Sequence, residues 1–468
     1  MLETFLPAPA RWRSLGFALM LAATAMIVGL AIAYERWPYL GILAFIPLLW
    51  FWPVQTSMGL FAMMVPFEGI TNFGDTTLIL LVGLLAGGTL IAVGLINHRF
   101  CRPPQTVLWW SLFLFWGLVS ALWAADPSTT LERLPTAAAL VGFYIAAVSF
   151  RITEEEFRWI VRLAIVGGCF TAAFLAYEYF TGVSWITMSQ TGSVLERGTL
   201  IMGEKEVNPD SVGLKFIIPI SLAVATYLSS RRTLIKGVAI IALGANVGAL
   251  LLTMSRAAFL SLIVLIVVFA RRLRLDRRLI VVGVVAGALL ASMPTSFFQR
   301  LAEKSAQSGS GRLYIWRVGL EMVKHNPILG IGFGNFLVVY KDYAGYAQHF
   351  MGYRLAPHNL YLEIWTELGI LGVLLFFMAI RAQVKVISGA AKNHAISVWL
   401  VASEAAFWAI LVYGFFMGLL WDKTFWLSGI FLAFAVMLQK ETNQPAALDP
   451  AYSDARNAEQ FHRVPQPV

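Results

Sequence analysis

The sequence predicts an all-α polytopic membrane protein with about 12–14 transmembrane helices and a large, partly helical external loop. Three observations predict it. Of 468 residues, 59% are hydrophobic and 13% charged, whereas a soluble domain is roughly a quarter charged. Mean hydropathy is +0.72. Apolar runs approaching the ~20 residues that cross a bilayer recur along the chain. A water-soluble globular enzyme is excluded, and disorder is confined to the ends.

Candidate spans fall at 14–34, 38–54, 56–67, 77–97, 106–124, 133–150, 156–180, 211–229, 233–254, 256–270, 278–294, 359–382, 394–418 and 423–439. The first follows Arg11 and Arg13 without a small-residue cleavage site, so it reads as a retained span rather than a signal peptide. The pair around Trp52-Pro53 is short and Pro-interrupted, as broken or re-entrant elements are. Short loops with Arg99 and Arg102, with Arg151, Arg158 and Arg162, with Arg231, Arg232 and Lys236, and with Arg271 to Arg278 share one side. Excess Lys and Arg marks the cytoplasmic side, which then also holds both termini. Glu68, Asp75, Asp126 and Asp422 fall opposite. This asymmetry accounts for the net charge of +9, so no nucleic-acid partner is expected.

Two segments are too long and polar for turns, and both land outside. One is 182–210, with the turn-like Asn208-Pro209; the other is 295–357. Within the second, Leu313, Trp316, Leu320 and Val323 recur at helical spacing from Arg312 to Lys324. That helix ends towards Pro327, because proline disfavours helix in the residue before it. The Gly-rich run Gly330 to Gly334 follows no strand and reads as a structured turn. The chain thus divides into a bundle over 1–294 (spans 1 to 11, with the loop 182–210), a loop domain over 295–357, the last three spans over 358–439, and a disordered cytoplasmic tail over 440–468. Cys101 and Cys169 are too few and too badly placed for a disulfide framework or a thiolate metal site.

The spans are nearly free of charge, so exceptions are informative. From Gly237 to Ala270 the one ionisable residue is Arg256, and an arginine in apolar surroundings costs ~2.5–3.5 kcal/mol even on lenient scales. It is either an anion site at the outer boundary or a snorkelling anchor. His358 stands where polar chain becomes span. It is either a general base, with an ordinary pKa near ~6.5, or an interfacial histidine held by hydrogen bonds. His325 and His349 read as solvated loop residues. Glu363 and Glu367 share one helix face and either polarise a substrate hydroxyl or anchor polar packing. Arg312, Arg317 and Arg354 carry forks suited to phosphate oxygens. No histidine lies at metal-ligand spacing, so neither a metal nor another cofactor is expected. Arginines and a histidine on the outer side, beyond the reach of nucleotide sugars, imply a donor that arrives in the lipid.

Leu252-Thr-Met-Ser-Arg256-Ala-Ala-Phe-Leu260, Gly311-Arg312-Leu-Tyr-Ile-Trp316, Asn326-Pro-Ile-Leu-Gly330-Ile-Gly332-Phe-Gly334-Asn335-Phe336 and Pro357-His358-Asn359-Leu-Tyr-Leu362 with Glu367-Leu-Gly369 together resemble the O-antigen ligase and polymerase superfamily. Arg256 with Leu260, and His358 with Gly369, look like the ligase signatures. Leu360 stands where that pattern often has a second histidine, which speaks against a two-histidine mechanism. The resemblance implies a metal-independent glycosyltransferase of the bacterial inner membrane with its site facing the periplasm. It would move O-antigen polysaccharide en bloc from undecaprenyl pyrophosphate to lipid A–core. Carried over by position, His358 is the base, and Arg256 and Arg312 bind the pyrophosphate. Arg197 and Arg354 join the same anionic site, and Asn359 and Glu363 serve the acceptor or support the site. An O-antigen polymerase and a protein O-oligosaccharyltransferase share the donor. A transporter is the alternative of a different class, but no inverted repeat supports it.

Overall fold

A computed structural model describes residues 45–68, 72–73, 76–183, 198–202, 205–273, 312–346, 352, 354–390 and 396–443. Its helices are α1 (Phe45–Phe51), α2 (Pro53–Met64), α3 (Leu78–Ile96), α4 (Gln105–Val119), α5 (Pro127–Val148), α6 (Glu154–Thr181), α7 (Pro209–Lys215), α8 (Ile217–Ser229), α9 (Thr233–Leu252), α10 (Arg256–Leu273), α11 (Arg312–His325), α12 (Phe336–Tyr343), α13 (Leu360–Ala390), α14 (Val398–Tyr413) and α15 (Lys423–Asn443). Two minimal hairpins pair Asn72–Phe73 with Thr76–Thr77 and Ile201–Met202 with Lys205–Glu206. Among the described residues seven helices are long and apolar enough to cross a membrane. The fold is an all-α, multi-pass membrane bundle.

Several expectations are refined. The spans expected at 14–34 and 278–294 lie outside the described residues, as do Arg197 and His349. Within the described part of the run 38–67, Trp52-Pro53 separates two short helices, because Pro53 opens α2. Asn208-Pro209 is a helix start rather than a turn: the Asn208 side chain accepts from the Asp210 amide at 2.9 Å, and Pro209 occupies the first turn. The tail expected from 440 is still helical to Asn443, and the rest of it lies outside the described residues.

The bundle has two chemically different ends. At one, Arg99 pairs with Glu156 (2.5 Å) and Arg272 with Glu404 (2.6 Å). Thr153 and Glu156 form a capping box there that starts α6. At the other end Lys215 is buried, with Nζ 2.8 Å from Glu68 and 2.6 Å from Asp422, and Lys423 reaches Glu68 at 2.5 Å. Burial pushes the Asp422 carboxyl up, but the Lys215 charge and the hydrogen bonds from Lys215 and Thr424 prevail and hold it low. Removing one partner of such a pair typically costs 3–5 kcal/mol, roughly, because the other charge stays buried. The network fixes the end of α7 against the segment before α15.

α13 is kinked at Gly369, which has φ 63° and ψ −167°. A Cβ there would lie 2.0 Å from the Ile328 carbonyl oxygen, so no other residue fits. A kink frees backbone groups that an apolar surrounding cannot satisfy, and the Gly-rich turn, Pro327 and Trp116 supply their partners. The Ile331 and Gly332 amides donate to Thr366 O and Glu367 O (2.9 Å each), Ile370 N donates to Pro327 O (3.0 Å), and Trp116 Nε1 donates to Leu368 O (3.0 Å). The Glu367 carboxylate accepts from the Gly334 and Phe336 amides at 2.8 and 3.1 Å. The turn 330–334 is therefore bound to α13, whose first residue is two positions after His358.

Candidate active site

The starts of α7, α10, α11 and α13 and the end of α14 converge at the end of the bundle that holds the Lys215 network. Thr253-Met254-Ser255 forms a tight corner between α9 and α10. Met254 takes φ 50°, Thr253 Oγ1 donates to Leu250 O at 2.6 Å, and Ser255 Oγ accepts from the Ala258 amide at 3.2 Å. The corner makes Arg256 the exposed first residue of α10, where the helix dipole and amides also favour an anion. Ser255 Oγ is 3.2 Å from Tyr413 OH, and Tyr413 OH donates to Asp210 O at 2.5 Å.

Asp210, in the first turn of α7, forms an ion pair with Arg312, the first residue of α11. Both are largely buried; their side chains are 12% and 17% exposed, so the pair fixes the guanidinium in a site shielded from solvent. One turn along α11, Trp316 Nε1 donates to Pro357 O at 3.0 Å. That bond holds the chain just before His358. His358 is half-buried and adopts φ 45°, a left-handed conformation uncommon outside glycine and concentrated at functional sites. Next, Asn359 Oδ1 caps α13 by accepting from the amides of Tyr361 (3.0 Å) and Leu362 (3.1 Å), and Leu360 N donates to Gly414 O at 2.8 Å. Burial, and then the Arg312 charge, push the His358 imidazole below its ordinary value, with Asp210 opposing them. A neutral imidazole beside a guanidinium can take a proton while the cation faces an anion.

The structure thus places His358 within electrostatic reach of Arg312 and Asp210, and links the corner before Arg256 to Asp210 through Ser255 and Tyr413. Arg354 is exposed in the loop before His358. Arg197 lies outside the described residues; Gly198, next to it, donates to Leu252 O at 2.7 Å beside the Arg256 corner. Glu363 is buried one turn into α13. Its Oε1 accepts from Trp421 Nε1 at 3.2 Å, and its Oε2 has no hydrogen-bond partner among the described residues. His325 is exposed at the end of α11, its Nδ1 2.8 Å from Glu321 O. Among the described residues no group of three His, Cys, Asp or Glu could hold a metal ion. Sequence reasoning missed Asp210, Tyr413 and Lys215. A buried charge in the 211–229 span was a usable signal for Lys215; Asp210 was hidden by reading Asn208-Pro209 as a turn, and Tyr413 has no local signature.

Residues 238–377 match a family model described as O-antigen ligase. A "Putative polysaccharide ligase" of Rickettsia prowazekii (strain Madrid E) is 25% identical over 347 residues, 69% of this chain and 77% of that protein. One of Rickettsia typhi (strain ATCC VR-144 / Wilmington) is 31% identical over 166 residues, 33% of this chain and 40% of its own length. A third, of Rickettsia felis (strain ATCC VR-1525 / URRWXCal2), is 25% identical over 345 residues, 69% of this chain and 77% of that protein. Fold and matched segment together define a multi-pass membrane protein with a segment similar to the O-antigen ligase family. The segment that matches the O-antigen ligase model holds Arg256, Arg312 and His358.

Proposed function

We propose that the protein is an O-antigen ligase of the bacterial inner membrane that transfers polysaccharide en bloc from undecaprenyl pyrophosphate to lipid A–core, at its periplasmic face. The observation that carries this reading is the buried Asp210–Arg312 ion pair at the start of α11, one turn from Trp316, whose bond to Pro357 O holds the chain next to His358. His358 takes the proton of the acceptor hydroxyl as that oxygen attacks the anomeric carbon of the first donor sugar. The bond from that carbon to the pyrophosphate oxygen breaks, and its electron pair leaves on undecaprenyl pyrophosphate. Arg312 and Arg256 stabilise the departing charge, a task that arginine forks can perform without a metal. Arg197 and Arg354 attract the donor to the same anionic site, while Asn359 and Glu363 support the acceptor side. The basic loops at the opposite end of the bundle favour the periplasmic placement.

The test is transfer by purified, reconstituted protein given a lipid-linked glycan and, in separate reactions, lipid A–core, a second lipid-linked glycan and an acceptor protein. Label should move to lipid A–core. Growth of the second lipid-linked glycan would make the protein a polymerase, and labelled protein would make it a protein O-oligosaccharyltransferase. Failure with all three acceptors would defeat the glycosyltransferase reading.

A further inference from the structure

A groove of about 640 Å³ opens between the end of α11, α12 and the loop joining α4 to α5, away from the residues used above. Its volume falls in the ~300–1,000 Å³ range of small-molecule sites. Trp123, Tyr343 and Tyr346 line it together with His325, Asn326 and Asp342. The His325 ring lies 5.4 Å from Tyr343 and 6.3 Å from Tyr346, and the two tyrosine rings are 6.0 Å apart, so the three rings build one wall. Tyr346 is 53% exposed and Asp342 is exposed. Flat rings offer the C–H face of a pyranose a packing surface, and a carboxylate, an amide and an imidazole match its ring of hydroxyls. Among the described residues the lining holds an acidic group and no lysine or arginine, so it suits neutral or amino sugars rather than phosphate.

The groove is tied rigidly to the active site by two routes. Gly330 and Ile331 form part of its floor, and Ile331 N donates to Thr366 O on α13 at 2.9 Å while Ile331 O accepts from the Ala125 amide at 3.0 Å. α11 runs from Arg312 at the site to His325 in the groove, a length of ~20 Å at 1.5 Å per residue. That separation fits a glycan whose pyrophosphate end sits at Arg312 and whose chain leads away along α11. We infer that the groove is a remote subsite for the donor glycan, holding sugars several residues from the pyrophosphate so that long chains are preferred over single repeat units. The inference rests on the polysaccharide-transfer reading above.

The full-length protein is reconstituted with undecaprenyl-pyrophosphate donors carrying either one repeat unit or many, at fixed acceptor. Tyr346→Ala and Asp342→Asn change exposed side chains; thermal inactivation reports whether they fold. Each should raise the ratio of KM for the long donor to KM for the short donor by about five- to tenfold, an aromatic or charged contact's worth. A ratio equal to the parent's in folded variants would overturn the inference, as would a raised KM for the acceptor with the donor ratio unmoved. If the parent transferred neither donor, the ligase reading itself would fail, and that result is distinct from both. Should one variant not fold, the other decides by the same ratio.

Discussion

At the scale of single residues the site depends on where charge is held. Burial first, and then the Arg312 charge, lower the His358 imidazole below its ordinary value, and Asp210 partly offsets the cation. In the proposed mechanism the neutral imidazole is the competent base, so the rate should fall as pH drops through a pKa below the ordinary ~6.5. Asp210→Asn removes the one influence that raises this pKa. The acid limb of the single-turnover pH–rate profile should therefore move to lower pH in that variant, and a move to higher pH would contradict the assignment. Arg256 is tested differently. Arg256→Lys keeps the charge and loses the fork, so a bidentate phosphate contact predicts a loss of ~10–100-fold in transfer, whereas a snorkelling anchor predicts the parental rate.

At the scale of elements, the kink of α13 binds the Gly-rich turn to the helix that begins two residues after His358. The Gly369 backbone conformation and its approach to Ile328 O leave no room for a methyl group. Gly369→Ala should cost at least about 1–3 kcal/mol, seen as earlier thermal inactivation in detergent together with lost transfer. Unchanged inactivation would mean that the Gly-rich turn yields and does not brace α13. This element also marks the limit of sequence reading. Apolar runs located the helices because burying them in lipid demands length and composition, and the 3.6-residue spacing placed α11 correctly. Motif order brought Arg256, Arg312 and His358 forward as one group. Nothing local announced that Asp210 would face Arg312 across 102 positions, or that Tyr413 would reach Asp210, because such pairs are made by packing between distant helices. Lys215 was visible as a charge in an apolar run, but its partners Glu68 and Asp422 were not.

At the scale of the whole molecule, a basic end stands opposite the end that holds the candidate site. Single cysteines placed at Asp126 and Arg354 should react with a membrane-impermeant reagent from the periplasm, and one at Arg232 only from the cytoplasm. The reverse pattern would put the site on the wrong side for a lipid-linked donor. The central claim is that this end of the bundle uses His358 to deprotonate a sugar hydroxyl. Single-turnover transfer at saturating donor, with donor binding measured in the same samples, tests it in His358→Gln. A positioned base contributes ~10²–10⁴-fold, so the variant should bind donor like the parent and transfer more slowly by about that factor; transfer at the parental rate would contradict the claim.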